Sequence, residues 1–311
     1  MVTRVSTVGN YNAVITNLMN AQLRQLEAGE RVSTQKNGHD LKGFARNDEL
    51  LTAMKSMQVR LQGYSDQNTL IADKLTTQDT SLNQVADSAQ AIRQAIADTL
   101  ASGDATNLMT EIQGQMNKAV GAMNTRYNGA YLFGGGLINT QPVTATTLAS
   151  LTAGPPISSF FQNDQFKATT QLDDATKVTT GILASDIGTP MLTGLQTIEA
   201  FDQSASGPFN GALSPAQRTF LQNQLATWDT VHTGAVALAA QNGMVQQRVD
   251  QIKSDLGSRQ TTLTTMIGGI TDADMAQASA DLTMAQTSFQ AAAQVFQTLK
   301  NSSLLSLLQI Q

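Results

Sequence analysis

Leu50, Met54, Met57, Leu61, Tyr64, Asn68, Ile71, Leu75, Gln78, Leu82, Val85, Ala89 and Ile92 are separated by alternating steps of four and three. Met275, Ala278, Leu282, Ala285, Phe289, Ala292, Phe296 and Leu299 repeat the pattern near the other end of the chain. Such spacing holds one face of a helix against a partner helix over many turns. It predicts one long helix over about 42–101 and a last helix ending near Leu308. Asn68 and Gln78 interrupt the first ladder, and polar residues at seam positions fix register and partner at some cost in stability.

The same reading places a first helix over about 8–32, with Ile15, Met19, Gln22 and Leu26 on one face and Leu18 and Val32 beside it. A polar loop with an Asn37-Gly38 turn follows. Ser102-Gly103-Asp104 breaks the long helix, and Asp104 or Thr106 can cap a third helix over about 107–127. Leu108, Ile112, Met116, Ala119 and Met123 form its apolar face, and Asn128-Gly129 and the glycine triplet 134–136 end it. Ser214 and Pro215 open another long helix, as a cap and a first-turn proline. It carries Leu221, Leu225 and Trp228, then Val245, Val249, Ile252, Leu256, Leu263, Met266 and Ile270. Gly268-Gly269 is expected to break it, and Asp272 or Asp274 to start the last helix.

Between about 140 and 208 the chain turns rich in Thr, Gly, Pro, Ser and Asp. Residues 165–169, 177–180 and 181–183 read as short strands, Asp173-Asp174 as a turn, and 190–201 as a short helix. The expected fold is mainly α: an elongated antiparallel helical bundle or coiled-coil rod built from both chain ends, with a small β-rich insert. Three domains are expected: terminal assembly helices (1–42 with 268–311), an α-helical rod (43–139 with 208–267) and an outer β-rich domain (140–207). Leu50, Met54, Met57, Leu61, Ile71, Leu75, Leu82, Val85, Val249, Ile252, Leu256 and Leu263 are the expected rod core. Ile15, Met19, Leu26, Met275, Leu282, Phe289, Phe296, Leu299, Leu304 and Leu307 are the expected subunit-assembly interface.

Composition narrows the functional classes. Only 5% of the 311 residues are aromatic and 14% charged, which suits thin, Ala-rich helical packing. The net charge of −5 comes with no basic patch, so nucleic acid is not an expected partner. The chain has no cysteine, hence no disulfide or thiolate chemistry. No run is apolar enough to span a membrane, and the first residues do not read as a cleaved secretory signal. His39 and His232 lack companions at metal-ligand spacing. Asp173-Asp174 and the Asp272/Asp274 pair read as turn and cap residues, and the glycine triplet lacks the spacing of a phosphate loop. No catalytic site, metal or cofactor is expected.

Several segments carry a resemblance. Residues 31–36 (Arg-Val-Ser-Thr-Gln-Lys), followed by Asp40 and Ala45, are similar to a helix–loop segment of the bacterial flagellin family, with Gln35 where the family has Gly. Glu111-Ile112-Gln113, Tyr127-Asn128-Gly129 and Leu132-Phe133 resemble a second family stretch. Residues 270–276 (Ile-Thr-Asp-Ala-Asp-Met-Ala), then Leu282, Ala285-Gln286, Gln290-Ala291 and 304–308, follow the family's C-terminal signature. The resemblance covers about 1–139 and 215–311. Within the family, residues 131–134 with 140–142, and 289–305, resemble subunits that join the flagellar hook to the filament; a subunit of the filament itself is the alternative. A surface protein binding a glycan or receptor through the insert is a remote third reading. The resemblance implies a structural, non-enzymatic protein, secreted to the extracellular flagellum through the flagellum's own type III export apparatus with an export chaperone. It further implies partners among copies of itself, another hook-associated protein and flagellin, and terminal helices that become ordered on assembly.

Overall fold

The computed structural model describes the backbone of residues 2–38, 41–44 and 47–308, and the side chains of 9–38, 43–44 and 47–301. Among the described residues the chain is mainly α-helical: α1 (Val2–Thr34), α2 (Asp48–Ser102), α3 (Leu108–Met123), α4 (Leu148–Thr152), α5 (Ala184–Asp202), α6 (Pro215–Thr271) and α7 (Met275–Leu308). Two antiparallel two-stranded sheets pair β1 (Arg126–Tyr127) with β2 (Ala130–Tyr131) and β3 (Thr169–Gln171) with β4 (Lys177–Thr179). The chain divides into two compact units, residues 1–60 with 259–311 and residues 61–258.

Local chemistry explains the helix ends. Asp48 and Glu49 put negative charge on the first turn of α2, where the helix dipole favours it. Gly103, at φ 74°, ends α2 in the left-handed conformation while its N–H still reaches the Thr99 carbonyl at 2.9 Å. At the start of α6, Ser214 Oγ accepts from Gln217 N (3.2 Å) and Gln217 Oε1 accepts from Ser214 N (2.8 Å), a reciprocal capping box with Pro215 at the first helical position. Asp104 accepts from both the N–H and the hydroxyl of Thr106, and Asn107 holds the α3 cap position without a side-chain bond.

Several elements differ from expectation. Helix α6 runs through Gly268-Gly269 to Thr271. Each glycine costs a helix about 1 kcal/mol relative to alanine, too little to end it where Thr271, just beyond, is buried. Helix α3 stops at Met123, and Arg126 to Tyr131 form a tight hairpin. Its turn residues Asn128 and Gly129 have φ 49° and 83°, the signature of a type I′ turn. Residues 181–183 are not a strand, because the Ala168 carbonyl accepts the N–H of both Thr180 and Gly181 and leaves no ladder to extend. Helix α5 starts at Ala184 rather than Pro190, and α4 is too short to leave a periodic signal.

In the larger unit, one core joins Leu82 to Ile96 of α2, the inner faces of α3 and α5, Leu148 and Leu151 of α4, and Leu221 to Ala239 of α6. Trp228 is fully buried within it. The seam amides tie helices to irregular backbone. Asn68 Nδ2 donates to Leu172 O (2.9 Å) and Gln78 Nε2 to Thr180 O (3.3 Å), at the two ends of the β3–β4 hairpin. From α6, Asn242 and Gln246 both donate to Leu75 O of α2, at 2.8 and 2.9 Å. The glycine triplet has a packing cause: side chains at Gly135 or Gly136 would collide with Asp164, whose Oδ1 accepts from the N–H of Gly136 and Phe166 (both 2.9 Å).

Leu61, Ile71, Leu75, Leu82, Val85, Val249, Ile252 and Leu256 are buried in this unit. In the smaller unit Met54 and Leu263 are buried, but Leu50 is 48% exposed and Met57 42% exposed. Leu51 is fully buried instead. Gln58 is half-buried and donates to Thr264 Oγ1 of α6 at 3.3 Å, while Met57 beside it faces outward.

Candidate subunit-assembly surface

The smaller unit is built on α1 packed against α7. Their contacts run in opposite directions along the two helices. Tyr11 and Phe296 meet with ring centroids 5.8 Å apart, Leu282 lies against Gly29, and Arg31 is 4.0 Å from Asp281. The pairing is therefore antiparallel. On α1 the covered positions include Val14, Leu18, Ala21, Gln25, Ala28 and Val32, again in steps of four and three. On α7 they are Ala278, Leu282, Ala285, Phe289, Ala292, Phe296 and Leu299. The α1 seam is narrow at Ala21, Ala28 and Gly29, and the larger side chains of α7 fill the space.

This changes the place of the α7 ladder. Leu282, Phe289, Phe296 and Leu299, expected at the subunit-assembly interface, are half-buried on the face turned to α1. Met275 opens α7 and is exposed, one turn before the buried Ala278. The side chains of Leu304 and Leu307, and His39, lie outside the described residues. Ile15 is half-buried. What remains open is a second stripe on α1: Met19, Leu23 and Leu26, at i, i+4 and i+7, are 64%, 55% and 64% exposed. Met284 and Val295 are exposed apolar positions on α7. Leu23 was not among the expected interface residues, although its spacing from Met19 and Leu26 is helical.

A small bridge closes the base of the pair. Residues Lys36 and Asp272 form an isolated antiparallel β-bridge. Asn37 N donates to Thr271 O (2.8 Å), Ala273 N to Gln35 O (2.9 Å), and Asn37 Nδ2 to Asp272 O (2.8 Å). The Lys36 ammonium donates to Asp272 Oδ1, as does the Thr271 hydroxyl at 3.0 Å. These donors hold the Asp272 carboxyl below its ordinary range, Lys36 most of all. Asp274 Oδ1 accepts from Ala276 N at 2.9 Å and caps α7.

Gln35 ends α1 at φ 58°, with its N–H on the Arg31 carbonyl. This left-handed position favours glycine, the residue the flagellin family carries there. Gln35→Gly is expected to stabilise the smaller unit by about 1 kcal/mol, the order of the left-handed penalty on a side chain. Thermal denaturation followed by circular dichroism checks it; an unchanged or lower melting temperature would show that the Gln35 side chain supplies more than its backbone strain removes.

Among the described residues, no three His, Asp or Glu side chains are placed to share a metal ion, and no helix is long and apolar enough to cross a membrane. His232 is half-buried on α6. The surface offers apolar contact and backbone geometry.

Comparison with known proteins agrees in kind with these features. Residues 225–308, most of α6 and all of α7, match the model of the bacterial flagellin C-terminal helical region. No curated protein matches the chain. Three solved structures share its fold over most of its length. A Vibrio parahaemolyticus protein described as a flagellar hook-associated protein covers 72% of this chain and 97% of its own, with TM-score 0.59 and 14% identity. Bacillus cereus FlgL covers 70% and 99%, with TM-score 0.54 and 15% identity. Xanthomonas campestris FlgL covers 71% and 99%, with TM-score 0.53 and 12% identity. The chain thus carries a region similar to the C-terminal helices of flagellins. Its fold is that of the three proteins just named.

Proposed function

We propose that this protein is a structural subunit of the bacterial flagellum that joins hook to filament. The observation that carries the reading is the fold shared with two FlgL proteins and a hook-associated protein over nearly their whole length. The open stripe Met19, Leu23 and Leu26 beside the α1–α7 seam supplies the physical means. Burying a Met or Leu side chain contributes about 1.5–3 kcal/mol, and here that gain is reserved for neighbouring subunits. In this reading the partners are copies of the chain, another hook-associated protein and flagellin; export proceeds through the flagellar export apparatus with a chaperone, and the assembled protein is extracellular.

A second reading, a subunit of the filament itself, draws on the flagellin C-terminal match over 225–308. Electron microscopy of the purified chain incubated with isolated hooks separates them. A short zone confined to hook ends is the expected result. Long filaments grown from this chain alone would replace the junction reading by the filament one, and the absence of any assembly on hooks would remove both.

A further inference from the structure

The larger unit contains a cavity of about 390 Å³ unrelated to the α1–α7 pair. Its walls are Tyr127 and Tyr131 of the β1–β2 hairpin, Leu132, Ile138 and Phe166, with the backbone of Gly135 and Gly136 at one side. Lys74 of α2 also lines it. Each piece has a local reason to be there. The type I′ turn brings both tyrosines to one hairpin, and the Tyr127 hydroxyl is 3.4 Å from Leu70 O, one turn before Lys74. Asp164 needs the bare glycines to reach the amides of Gly136 and Phe166, and so commits its Oδ1 to backbone.

Lys74 is half-buried, and among the described residues it has no ion pair and no side-chain hydrogen bond. Burial pushes its ammonium below the ordinary lysine range. A desolvated cation without an anion is costly, and a lysine whose stem crosses apolar surface normally carries its amine out to water. No carboxylate lines this cavity, and its other side chains are apolar or aromatic. At the rim, Ile138 is 47% and Phe166 60% exposed, and Arg126 is engaged on the Tyr131 ring (4.2 Å) and hydroxyl (2.8 Å), which leaves Lys74 as the cation among the cavity's own lining residues. The volume falls within the range of small-molecule sites.

We propose that this cavity binds a small organic anion, a carboxylate on a flat apolar body, with Lys74 as the counter-charge and Tyr127, Tyr131 and Phe166 as the apolar walls. The charge selects the anion, and the aromatic rings select a planar body over a flexible chain. Phosphate esters fit less well, because one ammonium leaves much of a monoester's charge of about −1.5 to −2 unbalanced and the Gly136 amide is already bonded to Asp164.

Isothermal titration of the whole protein with 2-naphthoate and with neutral 2-naphthamide tests this. Wild type is expected to bind one naphthoate, at least tenfold more tightly than the amide. Lys74→Met should remove that preference without changing the melting temperature. Phe166→Ala, at an exposed position that the fold does not need, should weaken both ligands to the same extent and keep the preference. Absence of saturable binding, equal affinity for the two probes, or a preference that survives Lys74→Met would each overturn the assignment. None of these outcomes depends on flagellar assembly, so the proposal stands or fails apart from the structural role.

Discussion

Replacing Met19 and Leu26 together by aspartate is expected to abolish assembly while leaving the single chain as stable as its parent. Both side chains are 64% exposed, so the substitutions remove little buried area from the chain itself. Charge at exposed helix positions usually changes stability by no more than about 0.5 kcal/mol. In an assembled state that covers the stripe, two carboxylates would enter an apolar contact without partners. Each would cost several kcal/mol or take up a proton to avoid it. The contrast that gives the experiment its meaning is Ala21→Asp. Ala21 is buried in the seam against α7, and a carboxylate there should unfold the α1–α7 pair in the single chain. Melting by circular dichroism and the hook-decoration experiment together separate the two variants. Assembly of the double aspartate variant at the parental level would show that the outer stripe of α1 is not the contact surface.

The two stripes of α1 also show where sequence patterning stops. Ile15, Met19, Gln22 and Leu26 satisfy a helical face, and so do Val14, Leu18, Ala21, Gln25, Ala28 and Val32 one position away. Pattern reading favours the first set because its side chains are larger. The structure packs α7 on the second, where Ala21 and Ala28 are buried and Leu282 lies beside Gly29. Hydrophobic weight and the packing of the seam thus select different faces, and only the first is visible in a hydropathy pattern. The start of α2 repeats the lesson. Leu50 and Leu51 are chemically identical, and both possible registers pass through Met54 and Leu61. The structure buries Leu51, and the half-buried Gln58 in the same register meets Thr264, 206 residues away in sequence.

Other features were legible because their chemistry is local. The capping box of Ser214 and Gln217, the cap of Asp274 and the left-handed Gly103 each depend on residues within four positions. The polar interruptions Asn68 and Gln78 stood out from the ladder, but their acceptors could not be read from it. They bind carbonyls 104 and 102 residues away, in a segment whose composition announces only turns. They fix the place of a β-hairpin on α2 rather than the register of two helices. The Lys74 cavity was invisible for the same reason, since it joins α2, a hairpin and a glycine turn that share no periodicity.

Trp228→Ala is expected to be the most destabilising single substitution in the larger unit, at about 3–5 kcal/mol. Trp228 is fully buried, and the bare Gly194 of α5 lies close enough that a Cβ there would sit 3.3 Å from its ring. Truncation would leave a void between two helices that already touch through a glycine, so little collapse is available to fill it. Trp228→Phe is expected to cost under about 2 kcal/mol. The indole Nε1 is buried without a hydrogen-bond partner among the described residues. Removing an orphan donor recovers part of a desolvation penalty of about 1–3 kcal/mol and offsets the smaller ring's lost contacts. Urea denaturation followed at about 222 nm, the helical circular dichroism band, measures both variants, because the chain's single tryptophan is lost from its fluorescence in each. If Trp228→Phe cost as much as Trp228→Ala, the indole N–H would have to be contributing stability through a hydrogen bond. The core around Gly194 would then be held by polarity as well as by packing.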